Sequence, residues 1–409
     1  MIVENKFLRN QLYLQSLLVL NYTLYLLNLP KQFFIINILA IIIVFFYILI
    51  DNLKKRLLLI KSIIIIYAII SLGSPLIEWD ARTIWLFHAK RIFFDNNIYS
   101  QFDNYFSISH NDYPLLVASV SSSIAHLFNG WNEILPKFSY VFFMTSPFFF
   151  LSFILKNKVK ELLFAAIILL IMEKRIIVGE MDMLNSIYFV LTIVCFGLLL
   201  FNPNNKNNSN KNILIYTVLN LIIYSHLRPE SFYFSILIFL SAIFINFFKK
   251  EKLKPTVFIY LSLSFVPIFF WKYLVANSGI TSITEHIFDL YLLKEKIFIF
   301  SLHFKIFELL FYSKNSIISI MFLMYFIFNF IKLKKNSETI SYNKNLILAN
   351  PIASYILSFS IVYFSIIYLA ILGSGTDDMF NEIGRFRYNL PVSISICYAT
   401  ILFKYQKKH

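Results

Sequence analysis

Residues 78–116 read EWDARTIWLFHAKRIFFDNNIYSQFDNYFSISHNDYPLL, and the part from Glu78 to Pro114 decides how the rest of the chain is understood. It lies between two long apolar runs and holds five of the 22 acidic residues, with two histidines, two arginines and two tryptophans. Elsewhere the charges are mostly lysines at the ends of apolar segments. Ionisable groups beside lipid are costly unless they are used. This island is therefore the first place to look for function.

Outward from it, the chain is apolar. Of 409 residues, 58% are hydrophobic, and the mean hydropathy is +0.69. A bilayer core of about 30 Å takes about 20 apolar residues per helix. Apolar segments fall near 11–29, 32–50, 57–76, 113–129, 136–155, 162–178, 184–201, 213–225, 230–247, 255–274, 316–333, 352–372 and 389–404. The expectation is an all-α integral membrane protein, a polytopic bundle of about 12 spans whose first extracytoplasmic loop carries interfacial helices. One transmembrane domain, 1–409, is expected, with a catalytic loop at 77–114. The first apolar run has no small-residue cleavage site after it and reads as a retained span.

A net charge of +15 would suggest nucleic acid in a soluble chain. Here the basic residues cluster between spans, as the positive-inside rule predicts, so they orient the protein and meet anionic lipid headgroups. No nucleic-acid partner is expected. Cys195 and Cys397 both fall within apolar runs, which argues against a disulfide framework or a cysteine metal site. Glycine-rich phosphate loops are absent.

DNLKKR (51–56), KKEKLK (249–254) and KYQKKH at the C-terminus place those loops in the cytoplasm. Glu78–Pro114, Gly179–Met183, His226–Glu230, Ala276–Glu295 and Gly373–Tyr388 then lie outside, in a multi-pass plasma-membrane protein. One parity conflict arises. Between Pro114 outside and the lysines at 156–160 inside there must be an odd number of crossings, yet two apolar runs intervene. The first, PLLVASVSSSIAHLF, is short and serine-rich: either it lies partly in the interface or a lysine is misplaced. Residues 297–312, with His303, Lys305 and Glu308, suit an interfacial helix better than a span. FNPNNKNNSNKN (201–212) reads as a solvated cytoplasmic turn, and the heavy use of Ile, Asn, Lys and Phe as a base-composition bias.

Glu78 and Asp80 flank Trp79. On an extended backbone, residues two apart share a side, so both carboxylates would face one cavity. Ala81, Trp85, Ala89, Ile92 and Phe93 then recur at helical spacing, the stripe of a helix along the membrane surface, with Arg82, Lys90 and Arg91 on its polar flank. The plainer alternative is an amphipathic connector whose acids favour a helix start.

WDARTIWLFHAKRIF (79–93), HNDYPLL (110–116) and VGEMDMLNSIYFV (178–190), in this order and spacing, resemble the loops of GT-C glycosyltransferases. The likeness is to bacterial relatives of the protein O-mannosyltransferases and lipid A aminoarabinose transferases. SHLRPES (225–231) departs from the lysine-bearing turn often found there. The resemblance covers about residues 1–250, leaving 251–409 as spans with little signal. It implies transfer of a sugar from a polyprenyl-phosphate donor to a lipid or glycan acceptor of the cell envelope, with inversion, at an extracytoplasmic site.

For that chemistry Asp80 is the expected general base. Glu78 would orient the acceptor or share a divalent cation, Mg or Mn, since hard cations take carboxylate oxygens. No metal ligand set is assigned. Arg228, Arg385 and Arg387 are candidates for the donor phosphate, because arginine binds phosphate bidentately; interfacial anchoring is the alternative. Arg82, Lys90, His110, Asp112, Tyr113, Glu180, Asp182 and Glu230 complete the expected substrate-binding set. His88, His126, His286 and His303 read as packing or interface residues. The first rival function is an O-antigen polymerase or ligase-like protein, whose large functional loop should come later in the chain. A transporter or flippase is the second, and it should carry ionisable residues near the midplane of its spans or internal repeats.

Overall fold

The computed structural model describes residues 5–50, 57–74, 78–99, 109–155, 157–172, 179–201, 209–249, 252–280, 289–311, 314–336, 344–373 and 389–403. Among these residues every regular element is helical. Six helices are long and apolar enough to cross a membrane: Lys31–Ile50, Leu135–Leu155, Met181–Phe201, Pro229–Phe248, Pro255–Asn277 and Pro351–Gly373. Several others are apolar but shorter, so the membrane class stands on six candidate spans.

Contacts divide the chain into two compact units. The first is residues 1–165 with 172–282, and the second is 166–171 with 283–409. The boundary near 282 comes later than position 250, where the resemblance ends.

In the first unit, α1 (Asn5–Leu26), α2 (Lys31–Ile50) and α3 (Leu58–Gly73) lead to a π-helical turn at Ala81–Trp85 and to α4 (Leu86–Asp95). Asn28 and Asn96, which follow α1 and α4, take left-handed backbone (φ 50° and 56°). Asparagine tolerates that conformation because its short amide bonds locally. Then come α5 (Leu116–Leu127), α6 (Phe138–Leu155), α7 (Lys158–Ile167), α8 (Met181–Phe201), α9 (Ser209–Ser225) and α10 (Pro229–Phe248). The run expected as one span at 255–274 breaks into α11 (Pro255–Leu263) and α12 (Val266–Asn277). Pro267 sits in the first turn of α12, where its missing N–H costs nothing.

The parity conflict turns on α5. Its 12 residues span about 18 Å, well short of a bilayer core. Just before it, the Ser109 carbonyl accepts from His88 Nε2 on α4 (2.8 Å). At its far end, His126 packs on Phe93 of the same α4, ring centroids 4.8 Å apart. α5 and the segment leading into it therefore pack against α4. If only α6 crosses in this stretch, the lysine scheme alternates. Leu116 to His126 are all buried in protein.

That burial explains the serines. Ser123 donates to Asn21 Oδ1 (3.0 Å), Tyr25 donates to Ser122 (3.1 Å), Asn21 donates to Ser119 (3.4 Å), and Ser121 bonds Ser139 (2.7 Å). Asn37 of α2 closes the seam on Asn21 Oδ1 (3.2 Å). Small residues let helix backbones approach, and their hydroxyls bond between helices where water is absent.

At the centre lies α8, buried along almost its whole length. Pro147 interrupts α6 and frees the carbonyl of Phe143, four residues earlier, from its helical partner. Tyr188 of α8 donates its hydroxyl to that carbonyl (2.9 Å), satisfying a group that lipid could not. Tyr188→Phe is expected to destabilise the first unit by about 1–3 kcal/mol, the cost of a buried carbonyl left unmade. Denaturant unfolding in detergent measures it, and an unchanged midpoint would refute the pairing. Beside α8, α10 runs parallel: Ser231 donates to Asn185 near their starts (2.7 Å), and Lys249 reaches the Leu200 carbonyl near their ends.

In the second unit, α13 (Leu290–Lys296), α14 (Phe300–Phe311), α15 (Lys314–Asn336), α16 (Lys344–Gly373) and α17 (Leu390–Leu402) pack together. Asp289 caps α13 by accepting from Tyr291 N (2.7 Å), while its own N–H bonds the Gly373 carbonyl (3.0 Å). With 12 residues, α14 is too short to span, and His303 ties it to Tyr368 of α16. Asn389 donates to Ser316 (3.0 Å), and Phe326 meets Phe403 (4.7 Å), so α15 and α17 run parallel.

Candidate functional site

Polar side chains gather at one end of the first unit, where α5, α6, α8 and α10 begin and α9 ends. Asp182, in the first turn of α8, pairs with Arg228, the residue before α10. Arg228 Nε also lies 2.9 Å from Glu230 Oε1, close enough for an ion pair but out of line for a hydrogen bond. Arg228 is 9% exposed and Asp182 4%. A carboxylate in the first turn meets the positive end of the helix dipole, so Asp182 and Glu230 are each supported twice. Tyr140 of α6 lies within electrostatic reach of Glu180 and Asp182. His226, fully buried in the turn between α9 and α10, is held down to about pKa 4, chiefly by burial; it is neutral at physiological pH. Its Nδ1 donates to the Ile222 carbonyl (2.7 Å), and Tyr22 meets its ring edge-on.

A second group adjoins this one through α12. Trp271 donates Nε1–H to the Asp112 carbonyl (3.1 Å). Lys272 is the charged neighbour of the Asp112 carboxylate and sits 4.8 Å over the ring of Phe232, two residues after Glu230. The loop carrying Asp112 is held from the other side as well. Trp85 packs on Tyr113 (5.4 Å), Tyr113 stacks on His110 (4.5 Å), and Ser109 donates to Asn111 Oδ1 (2.9 Å). His110 has φ 53°, a backbone strain that this ring stack and the Tyr113 N–H to His110 carbonyl bond (2.9 Å) keep in place.

Glu78 and Asp80 precede the π-helical turn that leads into α4. Asp80 already has helical backbone (φ −58°, ψ −38°). The argument from an extended strand therefore does not apply, because helical residues two apart are separated by about 200°. Asp80 precedes by about a turn and a half the Trp85 that packs on Tyr113, which is its structural link to the Asp112 loop. Arg82 and Lys90 line an open basin with Glu133 on the outer side of α4. Arg385, Arg387 and His286 lie outside the described residues.

The structure thus gathers Asp182, Arg228 and Glu230, with Glu180 and Tyr140 nearby, in one cluster and His110, Asp112 and Tyr113 in a second, linked through Lys272 of α12. It changes the reading of Arg228: two carboxylates already occupy its guanidinium, so it is not an open phosphate fork. His88 and His126 are packing residues, as expected. Among the described residues no group of three or more His, Cys, Asp or Glu is disposed to hold a metal ion.

Trp271, Lys272 and Tyr140 were missed by sequence reasoning. The signal for the first two was present, since Lys272 is an ionisable residue inside the apolar run VPIFFWKYLVAN. Tyr140, one of 25 tyrosines, carried no distinguishing mark. Asp182, Glu230 and Lys272 all sit toward helix ends, away from the midplane where a transporter would place them.

No protein-family model, curated protein or solved structure matches this chain.

Proposed function

We propose that the chain is a GT-C-type membrane glycosyltransferase that moves a sugar from a polyprenyl-phosphate donor to a cell-envelope lipid or glycan. The observation that supports it most is the Asp182–Arg228–Glu230 cluster, linked through Lys272 to Asp112, whose loop packs on Trp85 of the helical turn that Asp80 precedes. Acyl or phosphoryl chemistry would call for a nucleophile–histidine pair or a phosphate cradle. Sugar transfer asks only for a positioned carboxylate base and a cation for the leaving phosphate.

In this reading the Asp80 carboxylate takes the proton of the acceptor hydroxyl. That oxygen then attacks the anomeric carbon, the bond from carbon to phosphate oxygen breaks, and polyprenyl phosphate departs with inversion. The Asp182–Arg228–Glu230 cluster holds the loops rigid. The sequence's candidates for binding the departing phosphate are Arg385 and Arg387, in GRFRYNLP. The site faces away from the cytoplasm if the lysine clusters face it.

The test is sugar transfer by Asp80→Asn in membranes, with a panel of polyprenyl-phosphate sugars and envelope lipids as acceptors. Loss of a general base is expected to lower the rate about 10²–10⁴-fold with donor binding intact. An Asp80→Asn protein as active as wild type would remove Asp80 from the chemistry. No transfer by wild type from any donor would overturn the transferase reading.

A further inference from the structure

On the outer side of α4 lies an open basin of about 450 Å³, lined by Arg82, Leu86, Phe87, Lys90 and Glu133. Its size is that of a small-ligand site, but its charges are not those of a simple anion site. Lys90 Nζ stands 3.7 Å from Glu133 Oε1, and both side chains are about half exposed. Trp131 donates Nε1–H to the same Glu133 oxygen (3.1 Å), so the carboxylate is aimed rather than adrift. Arg82, about two helical turns before Lys90, is also exposed. The basin therefore offers two cations and one oriented carboxylate beside Leu86 and Phe87. Trp79 and Phe94, which bracket Arg82 and Lys90 in the chain, and Phe128 and Ile134, which bracket Glu133, are exposed. Aromatic residues in that position on a membrane protein sit at the level of the lipid headgroups.

We propose that this basin binds the headgroup of a zwitterionic bilayer lipid, phosphoethanolamine in type, with its phosphate on Arg82 and Lys90 and its ammonium on Glu133. Charge complementarity carries the assignment. A phosphate alone would satisfy the two cations and leave Glu133 repelling it, whereas a phosphoethanolamine matches all three groups. Arginine and lysine are the usual partners of phosphate oxygens. The ammonium of phosphoethanolamine supplies three donors, so a carboxylate already fixed by an indole and a lysine accepts it without reorganisation. The exposed rings give the acyl chains an apolar surface to lie against. The proposal does not depend on the transferase reading, and it removes Arg82 and Lys90 from the sugar site.

The experiment is native mass spectrometry of the full chain in detergent, titrated with phosphatidylethanolamine, phosphatidylglycerol and phosphatidylcholine of identical acyl chains. Wild type is expected to retain phosphatidylethanolamine over both others, because glycerol lacks the ammonium and methylation blocks its hydrogen bonds to Glu133. Arg82→Gln with Lys90→Gln is expected to weaken phosphatidylethanolamine binding about tenfold or more, as loss of charge-assisted bonds does. Glu133→Gln is expected to abolish the preference over phosphatidylglycerol while leaving phosphatidylglycerol bound. Equal retention of all three lipids by wild type overturns the proposal without any variant. So does a wild type that holds polyprenyl monophosphate, added as a fourth probe, more tightly than phosphatidylethanolamine.

Discussion

Arg228→Met is expected to destabilise the first unit by about 3–5 kcal/mol, the usual cost of breaking a buried ion pair from one side. The reason is what remains behind. Asp182 is almost wholly enclosed, and with Glu230 nearby the variant would bury negative charge without a partner. Helix dipoles at α8 and α10 offset only a fraction of that. Arg228→Lys should lose less, because an ammonium keeps the charge but not the planar fork that reaches two carboxylates at once. Arg228→Met combined with Asp182→Asn and Glu230→Gln should recover much of the loss, since the stranded charges are gone and neighbouring sites are not additive. Denaturant unfolding of the full chain in detergent measures all three. A single Arg228→Met within about 1 kcal/mol of wild type would mean that the cluster is open to water and not a structural clasp.

Trp271→Ala is the second large effect, expected at about 3–5 kcal/mol, the range for truncating a buried aromatic. Trp271 is fully buried. In a bilayer the transfer from water contributes little, but the lost dispersion contacts and the cavity remain. Trp271→Phe separates packing from bonding: it keeps most of the ring and removes Nε1–H, leaving the Asp112 carbonyl without its donor. About 1–3 kcal/mol is expected for that bond alone. Both variants should loosen the 109–115 loop, which faster proteolysis there would report. If Trp271→Phe leaves that loop as resistant as wild type, Trp85 and His88 hold it without help from α12.

Much of the architecture was legible in the chain because a bilayer permits few alternatives. An apolar run in lipid must be helical to satisfy its own backbone, so the segments at 32–50, 184–201 and 230–247 translate into α2, α8 and α10 with ends shifted by a few residues. The loop acids were legible for the same reason: Asp112, Asp182, Arg228 and Glu230 stand out against an apolar background. Length and hydropathy do not reveal depth. The serine-rich run at 113–129 looked like a weak span, and α5 instead lies against α4 inside protein, where its hydroxyls find Asn21, Tyr25 and Ser139.

What the sequence determined by itself is the membrane class, the helical content and the set of charged loop residues, all consequences of local composition against lipid. Which of those charges meet was decided only by tertiary structure. Arg228 reads as a free phosphate ligand until Asp182, 46 positions earlier, is placed against it. Trp271 reads as span filling until its indole meets Asp112 across 159 positions. Local composition says what a residue costs in a membrane; only the packing of distant helices says which partner offsets that cost.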